Sequence, residues 1–293
     1  MTGWVALVRE RFPLPSYLPM VALFAAGNGA VAIRTTGADA EPWRVTVAFA
    51  IALSFFFRLR CFDEIKDYAT DLAINPTRPL PRGALSVPQV FRGALWLSAL
   101  ELMATAALGS AALVAHAIAI AYSFLMYREF FIGDVLRPHL TTYAVTHTFV
   151  SVLLGYSVMA QVSGASLIDL PPGALAFGAV NWGLFNLFEF ARKTYAPEEE
   201  RPHVASYSRL FRPIGAGLLS LSQVAIALGA LWWLSPGLFT ASALRWHGVA
   251  AALLAVCAAI YVVRSARPAA ALLRAAAGVY LVGFWALVNW QLW

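Results

Sequence analysis

Phe55-Phe56-Phe57-Arg58-Leu59-Arg60-Cys61-Phe62-Asp63-Glu64-Ile65-Lys66-Asp67-Tyr68-Ala69-Thr70-Asp71 carries a hydrophobic run directly into a cluster of acids. The run closes an apolar segment, 43–60, whose length suits a bilayer core, which takes roughly 20 residues of helix. Continued as a helix, the four acids Asp63, Glu64, Asp67 and Asp71 fall at about 0°, 100°, 40° and 80°, on one face. Like charges at this spacing repel by roughly 0.2–0.5 kcal/mol per pair in water. Beside lipid they repel more strongly, so the arc calls for counter-charge. Magnesium supplies it, because it takes oxygen ligands from one or two carboxylates together with substrate phosphates. The plainer reading is an acidic helix end solvated at the interface and partly neutralised by Arg58, Arg60 and Lys66.

Outward from this stretch, the chain is 60% hydrophobic and 12% charged over 293 residues, more apolar surface than one soluble core hides. Lipid is therefore part of its solvent. Spans are expected near 16–33, 43–60, 88–108, 110–127, 139–161, 173–191, 213–234, 246–263 and 271–292, about nine in all, in a single all-α transmembrane domain covering 1–293. The first is expected to be a retained helix rather than a cleaved signal peptide. With a cytoplasmic N-terminus, every one of the 21 basic residues except Arg34, Arg44 and Arg245 falls on the cytoplasmic side. That is the asymmetry of a multi-pass protein of the cell membrane, and it puts the long polar loops 61–87 and 192–212 on the same face. The formal charge of +6 is spread through short clusters between spans, which argues against a nucleic-acid partner. Cys61 and Cys257 show no metal or disulfide spacing and read as packing residues.

After the acids comes Asn75-Pro76-Thr77-Arg78-Pro79-Leu80-Pro81-Arg82-Gly83, a proline-braced loop presenting two guanidinium groups suited to bidentate contact with phosphate. Together these residues resemble the UbiA superfamily of membrane prenyltransferases. Its first signature is Asn-Asp-x-x-Asp-x-x-x-Asp on the second helix, followed by an Arg-Pro-Leu-x-x-Gly-like loop. Asp63 and Glu64 stand at the Asn-Asp positions, Asp67 and Asp71 match the later acids, and Arg78 to Gly83 match the loop. The second signature, aspartates spaced by four near the end of the sixth helix, is altered. Glu189 stands for the first, Lys193 occupies the position four on, and Glu198, Glu199 and Glu200 follow a proline. Either Arg192 and Lys193 grip the diphosphate in place of one metal, or the loop refolds so that one of the three glutamates completes it. Tyr122, Tyr127 and Arg128 loosely resemble the family's tyrosine-and-lysine element that contacts diphosphate; snorkelling of Arg128 explains the same residues.

The resemblance implies a nine-helix bundle with a cytoplasmic-side cavity. It implies Mg2+ held by Asp63, Glu64, Asp67, Asp71 and Glu189, with Glu64, Asp67 and Asp71 as catalytic carboxylates. An isoprenoid diphosphate would be gripped by Arg78, Arg82, Arg128, Arg192 and Lys193, and its prenyl group would pass to an acceptor within the membrane. Internal capture of the allylic cation would instead make a terpene cyclase of the same superfamily. A transporter that binds a cation at the acids is a third reading, opposed by the absence of an internal repeat. His139 and His147, eight apart on one span, read as hydrogen-bonded packing residues, and Glu101 inside the third span has no partner evident in the sequence.

Overall fold

The computed structural model describes residues 3–202 and 204–293. Its regular elements are helices: α1 (Gly3–Arg11), α2 (Leu14–Thr36), α3 (Pro42–Lys66), α4 (Tyr68–Ile74), α5 (Val87–Leu108), α6 (Ser110–Tyr127), α7 (Gly133–Leu136), α8 (Leu140–Thr148), α9 (Val150–Ser163), α10 (Pro172–Arg192), α11 (Tyr207–Leu238), α12 (Ala241–Arg264) and α13 (Arg267–Leu292). Two short 3-10 turns, Glu129–Phe131 and Pro197–Glu199, complete the list. Among the described residues nine helices are long and apolar enough to cross a membrane, with α8 and α9 forming the two halves of one of them, Leu140–Ser163. These are the nine spans expected from the sequence, most of them extended by a few residues.

The spans start and stop where local chemistry says they should. Proline stands in the first turn of α2, α3, α5, α10 and α13, where its missing N–H costs nothing. Ser86 and Gln89 close a reciprocal capping box on α5. Gly37 ends α2 at φ 73°, a left-handed turn that glycine enters without strain.

Consecutive spans pack side by side, and α13 returns to α2, so the nine close into a ring, with α9 and α10 also touching α2 across its middle. The inner faces are apolar. Trp285 lies fully buried among Phe24 and Phe177, and its ring sits so close over Gly27 that a Cβ there would come within 2.6 Å of it. Asn28 and Asn181 hydrogen-bond across the ring at 2.9 Å, beneath Gly155. Gln223 pairs with Asn186, and Asn289 donates to Leu23 O, the helix contacts that intramembrane amides commonly make. The outward faces carry Trp96, Met103, Leu253, Val279 and Trp290, all more than half exposed, as expected of a surface solvated by lipid.

Glu101 is not isolated. It is 2% exposed and accepts from Ser54 Oγ at 2.7 Å and Arg58 Nε at 3.2 Å, with His116 Nε2 also at 3.2 Å. Arg58, itself fully buried, lies 4.4 Å from the Phe55 ring and donates to Ser123 Oγ at 2.6 Å. This charge pair ties α3, α5 and α6 together. Cys61 and Cys257 are free thiols, the first of them buried.

Candidate active site

A cavity of about 630 Å³ lies between the ends of α3, α6, α8 and α10. Its upper wall carries Asp63, Asp67, Arg60 and Lys66 from the end of α3, Arg11 from α1, Arg78 from the proline loop, and Glu189, Arg192 and Lys193 from the end of α10. Deeper, the lining turns apolar: Phe56, Leu59, Val150, Leu154 and Phe185, with Phe56 and Phe185 stacked at 5.7 Å. Six cations and three carboxylates thus surround the entrance to an apolar chamber.

The local fold explains the arrangement. α3 ends at Lys66, Asp67 takes φ −81° and ψ −6°, and the chain resumes as α4. Asp63 and Asp67 keep the cavity face. Glu64 turns away and is buried, paired with Arg11 at 2.6 Å and Arg60 at 3.1 Å. Asp71 is buried too, accepting from Arg78 at 2.6 Å and Asn75 at 2.9 Å. The expectation that all four acids share one open face is therefore corrected: arginines supply the counter-charge for Glu64 and Asp71, and neither lines the cavity. Burial pushes the Asp71 carboxyl up, but the hydrogen bonds from Arg78 and Asn75 outweigh it and hold the group below the usual carboxylate range.

The remaining candidates separate clearly. Arg78, Arg192 and Lys193 reach the cavity; Glu189 does as well, held by Arg192 at 2.5 Å and Lys193 at 2.9 Å. Arg82 lies outside the lining, paired with Glu10 at 2.6 Å on an exposed surface. Arg128 lies over the Tyr127 ring at 6.0 Å and is not in the lining. The glutamate run is committed elsewhere. Glu198 accepts from Arg267 N at 2.6 Å, Glu199 pairs with Arg274 at 2.7 Å, and Glu200 accepts from Ser206 and Ser208 at 2.7 Å. The Arg274 hydrogen bond holds the Glu199 carboxyl below its ordinary range. These contacts fasten the loop after α10 to the starts of α11 and α13 rather than to the cavity.

Several lining residues are not among those expected to grip the diphosphate; the sequence offers Arg60 and Lys66 only as partial counter-charge for the acids. Arg60 falls at about 60° on the same helical wheel as Asp63 and Asp67, so spacing alone marks it. Arg11 has no local signal, because it reaches Glu64 from 53 residues away. Lys66 donates to Tyr143 Oη at 2.8 Å and pairs with Glu129 at 3.3 Å, and Tyr143, His147 and Ser151 line the wall below.

Among the described residues no three His, Cys, Asp or Glu side chains converge on one point. A magnesium ion does not need such a cage, since one or two carboxylates plus phosphate oxygens and water suffice. Asp63 and Asp67, one turn apart on the wall, fit that requirement for a single ion; Glu189, neutralised by two cations, does not offer a second.

An all-helical membrane bundle with a charged mouth over an apolar chamber defines the class, and solved structures give the fold. A digeranylgeranylglyceryl phosphate synthase superposes with a TM-score of 0.62 at 13% identity, over 95% of this chain and 98% of that one. A UbiA homologue from Aeropyrum pernix K1 gives 0.63 at 19%, over 93% and 98%. A Cd2+-bound UbiA homologue from Archaeoglobus fulgidus gives 0.58 at 14%, over 98% and 99%. The fold of this chain is the UbiA fold. No family model and no curated protein matches the sequence.

Proposed function

We propose that the chain is a multi-pass membrane prenyltransferase of the UbiA superfamily, which moves an isoprenoid group from a prenyl diphosphate to an acceptor within the bilayer. One observation carries this reading: the cavity joins a mouth of Arg11, Arg60, Lys66, Arg78, Arg192 and Lys193 to a floor of Phe56, Leu154 and Phe185. A prenyl diphosphate has the same two-part chemistry, an anionic head on an apolar tail. The synthase and the Cd2+-bound homologue among the similar structures support it.

In this reading Arg78 and Arg192 grip diphosphate oxygens through guanidinium forks, and Lys193 adds a point charge. These cations stabilise the negative charge that develops on the leaving group as the allylic carbon–oxygen bond breaks. Mg2+ held by Asp63, Asp67 and the diphosphate would supply further neutralising charge. The stacked Phe56 and Phe185 rings keep water from the allylic cation and offer it their π faces. The cation-rich mouth faces the cytoplasm by the positive-inside rule.

The test is diphosphate release from purified protein in detergent, using geranyl, farnesyl and geranylgeranyl diphosphate with and without Mg2+. Wild-type release that depends on the metal and falls about 100-fold or more in Asp67→Asn is the expected result. No release from any donor, with membrane lipid extract present as acceptor, would sink the reading. Extraction of the hydrocarbon product separates transfer to an acceptor from internal ring closure.

A further inference from the structure

Glu189 faces the cavity from the last turn of α10, with Arg192 and Lys193 three and four residues further on. Arg192 Nε donates to its Oε2 at 2.5 Å, and Lys193 Nζ stands 2.9 Å from its Oε1, so each carboxylate oxygen holds one cation. Among the described residues these two are its only hydrogen-bond and ion-pair partners.

The place is a poor one for a negative charge. Unpaired carbonyls give the C-terminal end of a helix a partial negative charge, which favours Arg192 and Lys193 there and disfavours Glu189. The carboxylate is nevertheless the least exposed of the three, at 15% against 53% for Arg192 and 23% for Lys193. The two cations keep it there, and in return it neutralises both of them.

Other carboxylates hold the mouth cations from behind. Glu64 pairs with Arg11 and Arg60, Asp71 with Arg78, and Glu129 with Lys66, and none of these three acids lines the cavity. Asp63 does line it but stands 3.8 Å from Arg60, beyond hydrogen-bond reach. Glu189 therefore differs from all of them: it is bonded to a mouth cation on the side an incoming anion must approach.

We infer that Glu189 is a resident counter-anion of the diphosphate site, displaced from Arg192 and Lys193 by the donor's phosphate and returning to them to expel the diphosphate product. The inference rests on the prenyl-diphosphate reading above. A carboxylate and a phosphate oxygen compete for the same charged donors. Glu189 is tethered within one helical turn of both cations, so it competes at high effective concentration. The donor recovers that cost by burying its apolar tail against Phe56, Leu154 and Phe185. Once the carbon–oxygen bond has broken, the diphosphate has no tail to bury, and the balance tips back to Glu189. The same carboxylate that weakens donor binding a little thus keeps the product from lodging at the mouth.

The test is binding of inorganic diphosphate, the tailless probe, to the full chain in detergent by titration calorimetry, once with EDTA and once with Mg2+. Glu189→Gln should bind it about 10-fold or more tighter than wild type in both conditions, most of the change lying in a slower off-rate. Glu198→Gln, whose carboxylate accepts from Arg267 N away from the cavity, should stay within about two-fold. In wild type labelled with 13C-glutamate, the Glu189 carboxyl signal, assigned by its loss in Glu189→Asp, should move when diphosphate is added. Weaker binding in Glu189→Gln with Mg2+ alone would make the residue a metal ligand, and weaker binding in both conditions would make it a strut for the two cations. Unchanged binding, or a Glu189 signal unmoved while diphosphate binds, would make it a bystander; each of these results overturns the inference. Geranylgeranyl thiolodiphosphate is titrated in parallel, and a wild type that binds neither ligand would instead remove the prenyl-diphosphate reading beneath it.

Discussion

Asp71 shows how one side chain can match a motif and still do a different job from its neighbours. Asp63 and Asp67 present their carboxylates to the cavity, while Asp71 is spent on Arg78 and Asn75, and so positions a guanidinium that does reach it. Its carboxyl is held below the ordinary range, so the stabilisation is present above the unfolded value of about pH 4 and is lost as pH falls through the lower folded value. Asp71→Asn should therefore lower the melting temperature in detergent at pH 7, and the gap to wild type should narrow in acid; an equal gap at both pH values would contradict the pairing. The motif itself was legible because helical spacing is a local property. The inward turn of Glu64 was not, because its partner Arg11 comes from a separate helix and no sequence pattern links them.

The helices were readable in number and place from apolar length alone, and proline and glycine marked most of their ends. The 3-10 tightening where α8 meets α9, at Phe149 with φ −58° and ψ −21°, was not, since neither residue type occurs there and the sequence reads straight through. Glu101 gave no partner in sequence for a similar reason: Arg58 and His116 come from two other spans. Removing one member of a buried pair strands a charge in a low-dielectric interior, at about 3–5 kcal/mol. Arg58→Met alone is expected to destabilise the detergent-solubilised protein strongly, and the double variant Arg58→Met/Glu101→Leu to recover most of the loss. Thermal unfolding of the three proteins checks this; a double variant no better than the single would mean that the pair's geometry, rather than its charge balance, holds the three helices.

Taken together, the ring of spans does two things with one sequence. It hides Trp285, Phe24 and Phe177 at its centre while leaving tryptophan and leucine to the lipid, and it gathers cations from α1, α3, the proline loop and α10 around one opening. The architecture and the acidic half of that opening could be read from spacing and composition. The cationic half was read only in part, with Arg82 and Arg128 counted in and Arg11, Arg60 and Lys66 left out, because which arginines converge depends on how distant helix ends meet. Arg78 and Arg82 make the sharpest comparison, lying four residues apart on one loop, the first in the cavity and the second on an exposed pair with Glu10. The measurement that follows is the dissociation constant of geranylgeranyl thiolodiphosphate for wild type, Arg78→Ala and Arg82→Ala in the same detergent and Mg2+. Loss of a charge-assisted contact is worth about 1.5–3 kcal/mol, so Arg78→Ala should weaken binding by at least about 10-fold while Arg82→Ala stays within about two-fold. Equal affinities for all three, or a larger loss in Arg82→Ala, would contradict a diphosphate site in this cavity.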